Sequence, residues 1–342
     1  MSLEIESLES LIQHHSNSEE RIDALNKLSW LKRRNDIDKS LLLAKEAFEE
    51  SQKIGYKKGI AYSQLSLAFH DYTTQGNIRQ SIKTFLNVIE LFKELNDDFG
   101  RGMTHSLLSY VYWSTADYEN GFQHLLEGEE FQEKSGNTEG VAWDKFNFGS
   151  YYSDINYQEM ATPYFQEALE LFIQIGEHFG RASTINGLAR ICIEQDDLEQ
   201  AVQYCKESID ISDEHGFSDS KASALKILGE IYGRQNDFSR AEDYTSQSLA
   251  IYQSTGDQQG IIGTQVDLGV YYCNNHSINQ AIEYFEQVLE IAKEANANAD
   301  LIKSHEHLAN IYGDKGDADK ALHHYKEYVH LKEAIMGDTS SN

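Results

Sequence analysis

The chain has 342 residues, a single proline (Pro163) and a formal net charge of −27 from 56 acidic against 29 basic side chains. That charge disfavours phosphate backbones and anionic membrane surfaces as partners, and otherwise reads as a well-solvated surface. Three cysteines (Cys192, Cys205, Cys273) without disulfide or zinc spacing, no signal peptide and no membrane-length apolar run predict a protein of the reducing cytoplasm.

Hydrophobic residues make up 40% of the chain, and its wealth of Ala, Leu, Glu, Gln and Lys predicts helix throughout. Residues 1–18 read as an N-terminal capping helix, with Leu3, Leu8, Leu11 and Ile12 on one face. Ser16-Asn17-Ser18-Glu19 fits a capping box for the helix that follows. A repeating array then fills 19–336. Its units are 19–59 (divergent), 60–100, 101–140, 141–180, 181–220, 221–260, 261–300 and 301–336. The 60–100 unit carries one extra residue, assigned to a loop at Thr74-Gln75-Gly76-Asn77. Pro163, inside a second helix, predicts a kink or a delayed start there. Residues 337–342 read as a disordered tail.

The register shows in two glycine series, each spaced by forty residues: Gly136, Gly176, Gly216, Gly256, and Gly100, Gly140, Gly180, Gly260 with Ser220 in the gap. Self-similarity at that period is the mark of a solenoid. Both series are read as turn residues between units. Within a unit, Leu228-Gly229, Tyr232, Ala241 and Ser248 recur as Phe148-Gly149, Tyr152, Ala161 and Ala168. They recur again as Leu268-Gly269, Tyr272, Ala281 and Phe285, and as Leu308-Ala309, Tyr312, Ala321 and Tyr325. Large residues three and four apart share a helix face, and the small ones let a second helix approach. Polar turns such as Gln235-Asn236-Asp237 and Lys315-Gly316-Asp317 separate the two helices and offer caps.

This pattern resembles the tetratricopeptide repeat (TPR), in a forty-residue version rather than the usual length of about thirty-four. The resemblance implies an all-α, right-handed superhelical solenoid of about eight antiparallel helix pairs. In such arrays the first helix of each unit lines the concave face.

Offsets 2, 5, 9 and 12 of each first helix are the positions expected to face the groove. They yield the candidate partner-binding residues Tyr62, Phe69, Tyr72, Tyr110, Trp113, Trp143 and Phe146, then Asn186, Arg190, Lys226 and Arg234. One reading is an aromatic trough followed by basic residues for a carboxylate. The other is that the superhelical twist buries the aromatics between units. No catalytic constellation is present, so the chain reads as a non-enzyme with no cofactor and no metal. His305-Glu306-His307 and the adjacent His323-His324 lack the i, i+4 spacing of a zinc helix, and the histidines read as surface residues.

The opening Ala24–Trp30 and Ser40–Ala47 stretches, and the closing His324-Tyr325-Lys326-Glu327-Tyr328 with Leu331-Lys332-Glu333, resemble the sensory TPR regions of bacterial signalling proteins. There the array precedes a nucleotide cyclase, diguanylate cyclase or histidine kinase. The implied partner is a protein or peptide, with an output domain C-terminal to this chain, in a monomer or weak dimer. Neither nucleic acid nor membrane is expected as a partner. The alternatives are a stand-alone adaptor, similar to LGN-type scaffolds, and a peptide-pheromone receptor of the Rap kind.

Overall fold

A computed structural model describes residues 2–14, 18–33, 36–75, 77–115, 117–294 and 297–339. Ser16 and Asn17 of the expected capping box lie outside these residues. The chain divides into two compact units, 1–155 and 156–342. Unit 1 holds α1 (Ser2–His14), α2 (Glu19–Lys32), α3 (Ile37–Ile54), α4 (Lys57–Gln75), α5 (Ile78–Leu95), α6 (Asp98–Ser114), α7 (Tyr118–Ser135) and α8 (Thr138–Asp154). Unit 2 holds α9 (Gln158–Ile175), α10 (His178–Glu194), α11 (Leu198–His215), α12 (Ser218–Arg234), α13 (Phe238–Thr255), α14 (Gln258–Asn274), α15 (Ile278–Glu294), α16 (Asn298–Asp314) and α17 (Ala318–Thr339). Among the described residues there is no strand.

The boundary between the two units falls inside the 141–180 repeat, at the turn between its two helices. That turn, like the one at Asn77, lacks a side-chain cap. Asp117, Asp197, Asp237 and Asp317 each accept the backbone N–H three residues on, at 3.1–3.3 Å. The matching position here is Tyr157, which makes no side-chain cap. Caps of this kind contribute about 1 kcal/mol each.

The two glycine series do different work. Gly136, Gly176, Gly216 and Gly256 close the second helices in the left-handed region, with φ of 70–76° and open space around them. Gly100, Gly140, Gly180 and Gly260 sit instead within the first turn of the first helices, so the expectation that both series are turns fails for the second. A Cβ at Gly100 or Gly180 would enter the ring of Phe92 or Phe172. These glycines also donate their N–H to the caps Asp97, Asn137, Glu177 and Asp257.

Within each repeat the close approach expected from small residues is present. A Cβ at Gly269 would stand 2.8 Å from the Phe285 ring, and one at Gly229 would strike Thr245. Ala161, Ala201, Ala241 and Ala281 are fully buried opposite. In unit 1, Leu65, Phe85, Val88, Phe92 and Leu108 form one core, and α1 packs Ile5, Leu8 and Ile12 onto Ile22, Leu25, Leu28 and Leu43. In unit 2 the cores centre on Cys205, Ile227 and Leu228, and on Phe285, Val288 and Leu308. Each fully buried Phe contributes about 2–3 kcal/mol.

Four local expectations change. The extra residue of 60–100 lengthens α4, which contains Thr74 and Gln75, rather than a loop. The helix holding Pro163 starts at Gln158, in step with α7, α11 and α13, so its start is not delayed. The helix runs on through Pro163 to Ile175. Tyr325, placed in the core by analogy with Phe285, is 56% exposed because α17 has no further helix stacked on it among the described residues. The last helix continues to Thr339, so Gly337, Asp338 and Thr339 are helical rather than part of a tail.

Candidate functional site

The 39–41-residue spacing of the first helices in unit 1 places Trp30, Phe69, Tyr110 and Ser150 at one equivalent position, and Arg33, Tyr72, Trp113 and Ser153 at another. The side chains meet across repeats. Trp30 lies 6.0 Å from Phe69, Tyr72 stands edge-on to Tyr110 at 5.8 Å, and Trp113 stacks on Tyr151 at 5.5 Å. Tyr110 and Trp113 pair within α6 at 5.9 Å, and Trp143 and Phe146 within α8 at 5.5 Å. Arg33 lays its guanidinium over Trp30 at 3.9 Å. The result is an aromatic seam across α2, α4, α6 and α8.

The seam is neither wholly buried nor wholly open. Phe69, Tyr72, Trp113, Trp143 and Phe146 are half-buried, while Tyr110 is 43% exposed. Tyr62 departs from the expected set. It turns into the core against Phe92 at 4.8 Å and donates its hydroxyl to Asp97 at 3.0 Å. Burial and that carboxylate push its phenol pKa up. Trp30, Arg33 and Tyr151 join the face although the pattern did not flag them. The first two sit in the divergent repeat, whose shorter spacing hides their register.

Unit 2 treats its expected groove residues differently. Asn186 is 5% exposed and donates to the Ser220 carbonyl at 2.9 Å, a lock between consecutive first helices. Asn26 makes the matching bond to the Gly59 carbonyl in unit 1, at 3.2 Å. Lys226 pairs with Asp267 at 3.5 Å, and Arg234 pairs with Glu194 at 2.7 Å and Glu230 at 3.0 Å. Two of the three basic residues therefore already face carboxylates of their own or a neighbouring repeat. Arg190 is exposed and has no ion pair among the described residues. A ready basic subsite for a ligand carboxylate is reduced to this one side chain.

Asp144 is an unusual element of the face in unit 1. It is fully buried in α8, directly after Trp143, and both its oxygens lack a hydrogen-bond partner of normal geometry. Burial drives its carboxyl pKa well up, with the Ser106 hydroxyl and Lys145 only partly opposing and Glu129 adding to the rise. Equivalent positions carry Thr104, Thr184 and Thr264, each bonded to the carbonyl four residues back.

The histidines are not all surface residues. His70 is 2% exposed with Nε2 2.9 Å from the Ser40 hydroxyl, and His105 is 4% exposed. His105, His124 and Glu127 come together between α6 and α7. No described helix is long and apolar enough to cross a membrane.

No curated protein sequence matches the chain. Its structure is similar to that of a Rap protein complexed with Competence and Sporulation Factor, with a TM-score of 0.67 at 14% identity over 94% of this chain and 99% of that one. It is also similar to the Rap conjugation gene regulator of plasmid pLS20 in complex with the Phr* peptide. There the TM-score is 0.65 at 15% identity, over 98% and 96% of the two chains. A signal transduction ATPase with numerous domains and a tetratricopeptide repeat sensor, from Pyrococcus horikoshii, gives 0.62 at 16% identity. That match spans 98% of this chain but only 51% of the longer protein. At such identities the likeness establishes the fold. The tetratricopeptide repeat family model matches residues 156–214, 180–254 and 260–334, over half of the sequence, and so the chain belongs to the tetratricopeptide repeat family.

Proposed function

We propose that this protein is a peptide- or protein-binding module that acts in the cytoplasm as the regulatory or sensory part of a bacterial signalling system, by binding and not by catalysis. The observation that carries this reading is the aromatic seam of unit 1. Half-buried Trp and Tyr side chains held by their neighbours offer large contact area at little entropic cost, as anchor residues do. Tyr110, the most open member, is flanked by Trp113 on its own helix and by Tyr72 from the preceding repeat.

The ligand implied is an extended or helical segment with apolar side chains and few acidic ones. The seam supplies stacking surface, and the net charge of −27 repels acidic partners. The carboxylate-binding half of the groove is not part of this reading, because Lys226 and Arg234 are already paired. Peptide-pheromone reception fits the same geometry. The similar plasmid regulator was solved with a peptide, and the match spans nearly all of both chains.

The experiment is selection of peptides from a random display library on the full chain, followed by affinity measurement with Tyr110→Ala, Trp113→Ala and Trp143→Ala. Loss of an anchor costs about 2 kcal/mol or more, roughly a 30-fold weakening. Equal binding by variants with unchanged circular dichroism would sink the proposal.

A further inference from the structure

We propose that the 101–140 repeat holds a divalent transition-metal ion on His105, His124 and Glu127. This is independent of the aromatic seam. His105 projects from α6, and His124 and Glu127 lie one turn apart on α7, so all three meet between the paired helices. His105 Nδ1 is 3.0 Å from His124 Nδ1 and 3.1 Å from Glu127 Oε2, while His124 Nδ1 and Glu127 Oε2 are 4.0 Å apart.

A point equidistant from these three atoms lies about 2.0 Å from each, the bond length that imidazole and carboxylate ligands make to zinc and its neighbours. From that point, His124 and Glu127 lie on nearly opposite sides, with His105 roughly at right angles to both. These are three corners of a tetragonal set, the geometry that copper(II) and nickel(II) favour with nitrogen and oxygen ligands. One shared proton can bridge only one edge of the triangle, whereas a cation satisfies all three atoms together. His105 is buried, but His124 and Glu127 have side chains 16% and 40% exposed, which leaves solvent a path and a fourth ligand position. The Tyr112 ring stacks on His124 at 5.5 Å and fixes its plane.

The recurrence carries the argument further. His305 Nδ1 and His324 Nδ1 are likewise 3.0 Å apart, and Tyr312 stacks on His324 at 5.6 Å. Glu327 occupies the matching sequence position but stands farther off: among the described residues only His105, His124 and Glu127 bring three ligand atoms within 4.8 Å of one another, so the 301–336 repeat keeps the histidine pair without the third ligand. Four residues (His, Tyr, His, Glu) recur in two different repeats with the same spacing and the same ring geometry. The repeats between them place other residues there, such as Ile185 and Tyr204 in 181–220. Packing alone therefore does not demand histidines at these positions.

The test is titration of the chelator-stripped full chain with copper(II), nickel(II) and zinc(II), read by calorimetry and by metal content after dialysis. Copper(II) electron paramagnetic resonance adds a direct count of coordinated nitrogens. One saturable equivalent is expected, with superhyperfine splitting from two imidazole nitrogens. Glu127→Gln and His124→Asn should each abolish it or weaken it more than the roughly 10–100-fold that outer-shell changes cost. Glu327→Gln, beside the histidine pair that lacks a third ligand, should leave it unchanged. Glu127→Gln preserves shape, so a folding defect in His124→Asn leaves the test intact. No saturable binding, or an equivalent that survives both Glu127→Gln and His124→Asn, overturns the proposal.

Discussion

Asp144 stands where three other repeats place a threonine (Thr104, Thr184 and Thr264), and the difference is measurable as stability. A carboxyl without a good partner in the interior holds its proton, so its pKa rises above the unfolded value near 3.8. The sign follows from linkage. Its contribution is most favourable below the unfolded pKa, where both states are protonated, and is lost as the pH climbs through the raised folded value. Glu129 and Lys145 are the charged groups that also act on it. Asp144→Thr restores the bond that Thr104 and Thr184 make to the carbonyl four residues back, at 2.7 Å. It should raise stability by about 1–3 kcal/mol at pH 7.5. Urea midpoints at pH 7.5 and pH 4 check this. The gain should shrink toward the lower pH, and a gain independent of pH would refute the buried-carboxyl explanation. The sequence names Asp144 but not its burial, because an acidic chain has many aspartates and helical period alone does not tell which face a neighbouring repeat covers.

At the scale of the helices, the forty-residue rhythm was legible because many helix ends favour a particular residue. Left-handed C-caps favour glycine or asparagine, and N-caps favour an acceptor, although Tyr157, Phe217 and Ala297 start helices without one. Asn96 takes the same left-handed conformation, φ 52°, that Gly136 and Gly176 take in later repeats. Gly176→Asn should therefore stay within about 0.5 kcal/mol of the parent, since a left-handed asparagine is tolerated and nothing lies within 4 Å. Gly180→Ala, four residues on, drives a methyl into the buried Phe172 ring and should cost about 1–3 kcal/mol. Thermal melts of the two variants give the comparison. Equal losses would mean that both glycines are turn residues after all. Spacing located both series but could not separate them, because a turn glycine and a packing glycine repeat with the same period.

For the molecule as a whole, the charge is the dominant long-range force. A net −27 spread over a large surface repels itself, and salt screens that repulsion at a Debye length of about 10 Å in 0.1 M solution. Raising sodium chloride from about 20 mM to about 0.3 M should raise the melting temperature, on the order of 1–2 °C for each kcal/mol of repulsion removed. A melting temperature that falls with salt would show instead that pairs such as Arg234 with Glu194 and Glu230 outweigh the repulsion. The sequence by itself determined the repeat, its helix pairs, its caps and the equivalent face positions, because local helix chemistry and period are written in every forty residues. Only the tertiary structure decided what those positions do. Tyr62 turns into the core, Asn186 locks two helices, Lys226 and Arg234 meet carboxylates, and His105 meets His124 across a helix pair. Those outcomes depend on which side chains of adjacent helices come within a few ångströms, and a period along one chain does not encode that distance.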